Sequence, residues 1–142
     1  MTLGTAIIET RIKKSKDFEN IFKNGSTILS NDRKIKVTYL IYSNGSSPEI
    51  KFAAAVSSKA GGAVWRNRIK RIIRESIRIE KNSLKEMVLN KGLSLFVILS
   101  PNKINQLNSE NILLMDIKPA ILEIISSLTK IASDMLSKED PD

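Results

Sequence analysis

The sequence of 142 residues contains no cysteine and no histidine. Without cysteine it has no disulfide and no thiolate metal ligand, and without histidine it lacks the imidazole of Ser-His-Asp or Cys-His catalysis and of the common zinc sites. Aromatic residues are also few, since there are one Trp, two Tyr and four Phe. Any chemistry must therefore use carboxylates, lysines, a metal held by oxygen atoms, or a group outside the protein.

Membrane-directing features are missing from the sequence as well. The opening MTLGTAIIETRIKK has neither the basic-then-apolar order nor the small-residue cleavage site of a signal peptide, and no stretch approaches the roughly 18 apolar residues of a membrane span. We therefore expect a cytoplasmic protein. What the chain does have is charge of one sign: 23 Lys and Arg against 15 Asp and Glu give a net charge of +8. A domain this basic usually binds a polyanion.

The length and the order of patterns predict one α+β domain. Residues 1–142 suit a single domain with its core at about 11–136, loose ends and a charged tail at 138–142. The patterns predict a helix at 16–24 capped by Ser15, two strands at 34–42 and 50–57 that form a hairpin, a long helix at 63–81, a buried strand at 93–100, and a final helix with Pro119 in its first turn. This order is α-β-β-α-β-α. The apolar stripe of the final helix, from Ile117 to Met135, favours packing on the sheet over a coiled coil.

Three of the few aromatic residues share one region of the predicted fold. Phe18 and Phe22 fall on the same side of the first helix, and Tyr39 alternates with Ile35 and Val37 on the first strand. We expect the three rings to gather where this helix meets the sheet. Core packing is the ordinary role of such rings, although a single-stranded nucleic acid needs the same kind of stacking platform.

The helix at 63–81 carries most of the excess charge. Residues 59–81 contain eight Lys or Arg and two Glu, so that their net charge, eight minus two, is +6. A helical projection separates an apolar face from a face that we call the basic strip. Arg66 lies beside the strip, and Arg68 lies off it near Glu75, where a structural role is expected. The strip consists of Asn67, Lys70, Arg71, Arg74 and Arg78.

Like charges spaced four apart favour a binding role for this helix. Arg66, Lys70 and Arg74 repel one another mildly, and a merely solvated face would mix signs. Arginine also forms bidentate contacts with phosphate. A DNA-binding helix-turn-helix is disfavoured because a strand and Gly61-Gly62 precede the helix. The glycine pair matches no phosphate loop and indicates close backbone packing or a positive φ.

The run Lys59 to Glu75, KAGGAVWRNRIKRIIRE, resembles the signature of the bacterial ribonuclease P protein subunit, whose core is Arg-Asn-Arg followed by a basic helix. The similarity extends over about residues 15–131 and includes SKDFENIFKNG. The family commonly has two lysines and then Gly-Asn before the helix. Here Ser58-Lys59 and Gly61-Gly62 stand instead, so Lys59 alone supplies the cation, and the connections 26–36 and 102–115 look longer than usual.

The resemblance implies a fold and a division of labour. The fold would be a mixed sheet with a left-handed βαβ crossover through the Arg-Asn-Arg helix. The protein would bind a large catalytic RNA and the 5′ leader of precursor tRNA, while the RNA, with Mg²⁺ that it mainly holds itself, removes the leader. Membrane and DNA would not be partners. The resemblance assigns Arg66, Asn67, Arg68, Lys70, Arg71 and Arg74 to the catalytic RNA, and Phe18, Phe22, Tyr39 and Lys59 to the leader.

Two other functions compete with this interpretation. A ribosomal or assembly protein on an α+β scaffold could use the same basic strip for a different RNA. A nuclease acting alone would need clustered carboxylates to hold metal, but Asp17, Asp32 and Asp116 are scattered along the chain. We therefore expect no catalytic residue and no metal ligand in the chain.

Overall fold

A computed structural model describes residues 9–43 and 47–139. In this part of the chain five strands form one mixed sheet, in the order β1-β4-β5-β3-β2, and four α-helices cover it. The strands are β1 (Glu9–Arg11), β2 (Ser26–Leu29), β3 (Ile35–Ser43), β4 (Glu49–Ala54) and β5 (Leu93–Pro101). The helices are α1 (Ser15–Asn24), α2 (Ala63–Glu80), α3 (Asn82–Asn90) and α4 (Leu114–Glu139), and a 3-10 turn spans Ser58–Ala60. The sequence correctly indicated an α+β architecture.

The centre of the sheet is β5, because its residues are apolar on both faces. The seven residues from Leu93 to Leu99 are all buried. Leu95, Val97 and Leu99 face one layer of the core, and Phe96 and Ile98 face the other. A strand of this kind needs a neighbour on each edge and cover on each face. The buried strand predicted at 93–100 is confirmed.

The predicted hairpin of the strands at 34–42 and 50–57 is wrong. β5 lies between β3 and β4, pairing antiparallel with β3 and parallel with β4. The parallel pair β4–β5 is joined through α2, as the resemblance implied, and through α3, which was not predicted; the handedness of that crossover stays a prediction. The turn-forming residues between β3 and β4 signalled a chain reversal, but they could not show that a third strand would enter between the two.

Helices pack on both faces of the sheet. α2, α3 and α4 cover the face that carries Ile35, Val37 and Phe52, whereas α1 covers the opposite face through Ile21. The apolar stripe of α4 packs on α2, α3 and β3, so it belongs to the core and not to a coiled coil. Most of the hydrophobic stabilisation therefore lies on the α2–α4 side, which holds α2 firmly against the sheet.

Several boundaries differ from those that the sequence indicated. α4 begins at Leu114, so Pro119 lies inside the helix and not in its first turn. The Asp116 carboxylate accepts from the Leu113 amide at 2.8 Å, a capping contact that starts the helix earlier. α1 has no side-chain cap from Ser15. β1, β2 and α3 were not predicted, and most of the tail at 138–142 and the start of the chain lie outside the described residues.

Candidate RNA interface

α2 presents a buried apolar face and an exposed basic face, as the projection predicted. Its core side chains are Trp65, Ile69, Ile72, Ile73 and Ile77. On the other side Asn67, Arg71 and Arg74 are exposed and Lys70 is half-buried. Within residues 9–43 and 47–139, no side-chain hydrogen bond or ion pair engages these four. The basic strip is therefore open to an external anion.

The far end of the basic strip is partly neutralised by its own helix. Arg78 forms a hydrogen-bonded ion pair with Glu75, one turn away. This contact lowers the pKa of the Glu75 carboxyl and raises that of the Arg78 guanidinium. Both side chains are well exposed, so the pair contributes little to stability. The N-terminal part of the strip, around Lys70 and Arg71, keeps its full positive charge.

Arg68 lies off the basic strip, as predicted, but its partner is not Glu75. Its Nη2 donates to the carbonyl oxygen of Ile112 at 2.7 Å. Arg68 is half-buried, and Ile112 belongs to the core. A guanidinium held in this way anchors the helix, although its remaining N–H groups could still reach a phosphate.

The Arg68 contact is one of three regularly spaced hydrogen bonds between α2 and residues 102–113, a segment that we call the docking loop. The Gly62 amide donates to Gln106 Oε1 at 2.8 Å, and Trp65 Nε1 donates to the Ser109 carbonyl at 3.0 Å. The three donors, like their three acceptors, follow one another at intervals of three residues. The docking loop thus runs beside the first two turns of α2 and fixes where its basic face points.

The two glycines before α2 have extended backbones, and neither adopts the left-handed conformation. Gly61 has an extended φ of 172°. A methyl group there would lie 2.8 Å from Trp65 and 2.9 Å from Gln106. Arg66 reaches back and donates from Nε to the Gly61 carbonyl at 3.0 Å. The close-packing interpretation is confirmed for Gly61 but not for Gly62, where a methyl group would lie 3.7 Å from Gln106, and neither glycine has the left-handed φ of the alternative interpretation.

The three predicted aromatic residues do not gather on one face. Phe18 packs in the core under α1, and Phe22, on the same helix, is 56% exposed. Tyr39 instead packs against the α2–α4 core, on the other face of the sheet. Strand alternation gives the reason, because Tyr39 shares the parity of Ile35 and Val37, which the α2–α4 layer buries.

Other side chains on the α1 face were missed by the sequence analysis. Tyr42 meets Phe96 edge to face with ring centroids 6.1 Å apart. Lys51 Nζ lies 5.8 Å from the centroid of the Phe96 ring. The parity of Tyr42, opposite to that of Tyr39, was the signal that could have placed it here. The α1 face therefore offers an exposed ring at Phe22, a partly exposed ring at Tyr42 and a cation at Lys51.

Lys59 is exposed in the 3-10 turn between β4 and α2. The Ser57 hydroxyl accepts from its amide at 3.1 Å, which fixes the backbone and leaves the ammonium in solvent. Lys59 and the start of α2 are thus close in the chain, and Ser58 lies in the same turn.

Among the residues that the structure describes, no three His, Cys, Asp or Glu residues are grouped so that they could hold a metal ion. In the same described part, no helix combines the length and the apolarity needed to cross a membrane.

Comparisons with known proteins agree with the resemblance seen in the sequence. The family model "Ribonuclease P" matches residues 8–118. The ribonuclease P protein component of Staphylococcus haemolyticus is 40% identical over 74 residues, which are 52% of this chain and 60% of that protein. That of Bacillus velezensis is 35% identical over 77 residues, covering 53% and 61%. The matched part thus spans about three fifths of the length of these curated relatives.

Solved structures give the same fold. The RNase P protein of Staphylococcus aureus, at 27% identity, has a TM-score of 0.58 with coverage of 86% of this chain and 94% of that one. The protein from Thermotoga maritima, at 22% identity, has a TM-score of 0.61 with coverage of 84% and 96%. Since the family model covers most of the sequence, the chain belongs to the bacterial ribonuclease P protein component family.

Proposed function

We propose that this protein is the RNA-binding subunit of a ribonuclease P ribonucleoprotein, the endoribonuclease that removes the 5′ leader of precursor tRNA. Its partners would be the catalytic RNA and precursor tRNA, in the cytoplasm. The observation that carries the proposal is the orientation of α2. One face is buried, the opposite face is cationic, and the docking loop holds the helix in that orientation.

The basic strip would bind the catalytic RNA through phosphates. Asn67, Lys70, Arg71 and Arg74 supply exposed donors on one side of a rigid helix. Such contacts are electrostatic and indifferent to sequence, so they position an RNA without reading its bases. Arg66 and Arg68 each donate one hydrogen bond within the protein and keep further N–H groups for RNA. Their main contribution to binding would be to hold α2 in place.

The leader would lie on the α1 face of the sheet. Phe22 and Tyr42 expose aromatic surface, and Phe18 packs in the core beneath α1. Lys59 adds positive charge, as does Lys51, whose ammonium also lies 3.9 Å from the Glu49 carboxylate. Base stacking on such rings is worth roughly 1–3 kcal/mol per base and tolerates any sequence. Tyr39 is left out of this surface because it faces the α2–α4 layer.

The chemistry of cleavage would belong to the RNA. Among the described residues, no cluster of three or more Asp or Glu residues is placed to hold a metal ion. Mg²⁺ held by the RNA would supply the charge neutralisation that phosphodiester hydrolysis requires. The protein would bind both RNAs and hold the leader, which lowers the entropic cost of bringing the catalytic RNA and precursor tRNA together.

Reconstitution tests the proposal. The purified protein with Mg²⁺ should leave precursor tRNA intact, and a bacterial ribonuclease P RNA should restore cleavage at the mature 5′ end at low Mg²⁺ only when the protein is present. Binding to the RNA without any gain in cleavage would favour a different RNA-binding role. Cleavage by the protein alone, surviving stringent nuclease controls, would assign the chemistry to the protein.

A further inference from the structure

A second basic surface lies where β1 meets the C-terminal half of α2. It is a cleft of about 560 Å³, which we call the β1-edge cleft. Phe52 and Ile77 form an apolar floor. Its described lining includes no acidic side chain, and its cations are Arg11, Lys13, Arg74, Arg78 and Lys81.

The register in which β1 pairs with β4 turns Arg11 toward this cleft. β1 pairs parallel with β4, and Arg11 stands opposite Phe52. Paired residues in neighbouring strands point to the same face of a sheet, and Phe52 packs on the α2 side. Ile12 points the other way and packs with Ile21, while its amide donates to the Phe52 carbonyl at 3.0 Å. The register therefore places Arg11 on the α2 side, and Lys13, just beyond the end of β1, lines the same cleft.

Positive charges from the two walls of the cleft act on each other. Burial, and after it the charge of Arg11, lowers the pKa of the Arg74 guanidinium. Burial and then the charge of Lys85 lower the pKa of Lys81. Arg78, on the α2 wall, also forms an ion pair with Glu75. Concentrating like charge in this way destabilises the protein unless an anion enters.

The lining also indicates which anion would enter. Proteins read base edges with Asn, Gln, Asp and Glu side chains as well as with arginine. The described lining of the cleft contains none of those four residue types. Phe52 is only 7% exposed, so the floor offers no stacking platform. Guanidinium and ammonium groups on both walls suit a strand of phosphates that passes between them.

We propose that the β1-edge cleft binds adjacent backbone phosphates of the catalytic RNA, so that the RNA footprint continues from the basic strip around the end of α2 to β1. The proposal rests on the proposed function, since it concerns the same RNA. It adds Arg11, Lys13 and Lys81 to the surface in contact with RNA.

The test compares two double variants that remove the same charge. Arg11→Gln with Lys13→Gln removes both cations from one wall of the cleft, whereas Lys36→Gln with Lys130→Gln removes two exposed cations elsewhere. Binding of each protein to ribonuclease P RNA is measured between about 50 and 200 mM salt. For the cleft variant we expect affinity to fall about tenfold or more, and the slope of log K against log salt to decrease by about two. The control should change by less than about twofold, consistent with long-range screening.

Further variants and a free polyphosphate distinguish loss of RNA contacts from unfolding and from binding of a different anion. Arg11→Lys with Lys13→Arg keeps the charge and should keep the affinity, and thermal melts show whether each variant folds. If Arg71→Ala weakens RNA binding but the cleft variant does not, the cleft proposal fails while the proposed function stands. If neither weakens it, both fail. Pyrophosphate that stabilises the wild type but not the cleft variant, with RNA binding equal in both, would assign the cleft to a free polyphosphate and overturn the RNA footprint.

Discussion

The guanidinium of Arg68 donates to the main-chain carbonyl of Ile112 at 2.7 Å, across 44 residues of sequence. An arginine from a strongly basic helix thus ties the helix to the docking loop. Together with the contacts of Gly62 and Trp65, it sets the angle at which the basic strip faces solvent. The docking loop is therefore part of the RNA interface without having to contact RNA.

Replacing Arg68 with Ala should act mainly on stability. The change leaves the carbonyl of the buried residue Ile112 without its donor, and we expect the free energy of unfolding to fall by about 1–3 kcal/mol. Urea denaturation measures this directly. Arg71→Ala, at an exposed position of the same helix, is the matched control and should change the unfolding free energy by less than about 0.5 kcal/mol. Equal effects of the two changes would mean that the Arg68 contact does not anchor α2.

The two glycines before α2 should differ in their tolerance of alanine. At Gly61 a methyl group meets Trp65 and Gln106 at under 3 Å, whereas at Gly62 the nearest atom is 3.7 Å away. Gly61→Ala should therefore destabilise the protein by about 1–3 kcal/mol. Gly62→Ala should be nearly neutral. Melting temperatures of the two variants decide the matter, and a Gly61→Ala protein as stable as the wild type would show that the docking loop packs less tightly here.

The composition and periodicity of the sequence were enough to predict α2, its basic strip and the buried strand β5. One-dimensional periodicity determines which residues share a face, and that is all these features require. The prediction that β3 pairs with β4 was wrong because β5, which is buried on both faces, lies between them. The docking loop could not be predicted, because its acceptors are a glutamine side chain and two main-chain carbonyls in a polar segment without periodicity.

The proposed leader surface depends on which helices cover each face of β3, and periodicity alone could not predict this either. The alternation of β3 correctly grouped Tyr39 with Ile35 and Val37, yet it could not tell which helices would cover that face. Once the α2–α4 layer takes that face, residues of the other parity, such as Tyr42, are left for α1. A parity pattern fixes the partition of side chains between two faces and leaves open the identity of each face.

Changes at Phe22 and Tyr42 should weaken binding of the leader selectively. In the reconstituted enzyme, Phe22→Ala and Tyr42→Ala remove exposed rings, and each should cost about 1–3 kcal/mol of affinity for precursor tRNA with a leader of several nucleotides. Affinity for mature tRNA should stay nearly level. Tyr39→Ala is the control on the other face, and should give no such difference between the two ligands. Equal losses for both ligands in the Phe22 and Tyr42 variants would place the leader elsewhere.

The turn between β2 and β3 should contribute stability that depends on pH. Burial alone would raise the pKa of Asp32, but hydrogen bonds from the Lys34 amide and the Ser30 hydroxyl, together with the charge of Lys34, outweigh it and lower that pKa. A depressed folded-state pKa adds stability above the unfolded value of about 3.9, which is lost as pH falls through the folded value.

Asp32→Asn should therefore reduce the unfolding free energy near neutral pH and lose its effect in acid. Because Asp32 is exposed, we expect a difference of less than about 1 kcal/mol. Urea denaturation of both proteins at about pH 6 and about pH 3 provides the comparison. A difference that grows in acid would contradict the hydrogen-bonding assignment.

Binding of the catalytic RNA to the basic strip of α2 through phosphates can be measured in the salt dependence of the complex that Arg71→Ala forms. The Arg71 side chain is exposed and makes no hydrogen bond or ion pair within the described residues, so its removal leaves the fold intact. We expect Arg71→Ala to bind ribonuclease P RNA more weakly and to decrease the slope of log K against log salt by about one. An unchanged affinity and an unchanged slope would contradict phosphate binding by the basic strip.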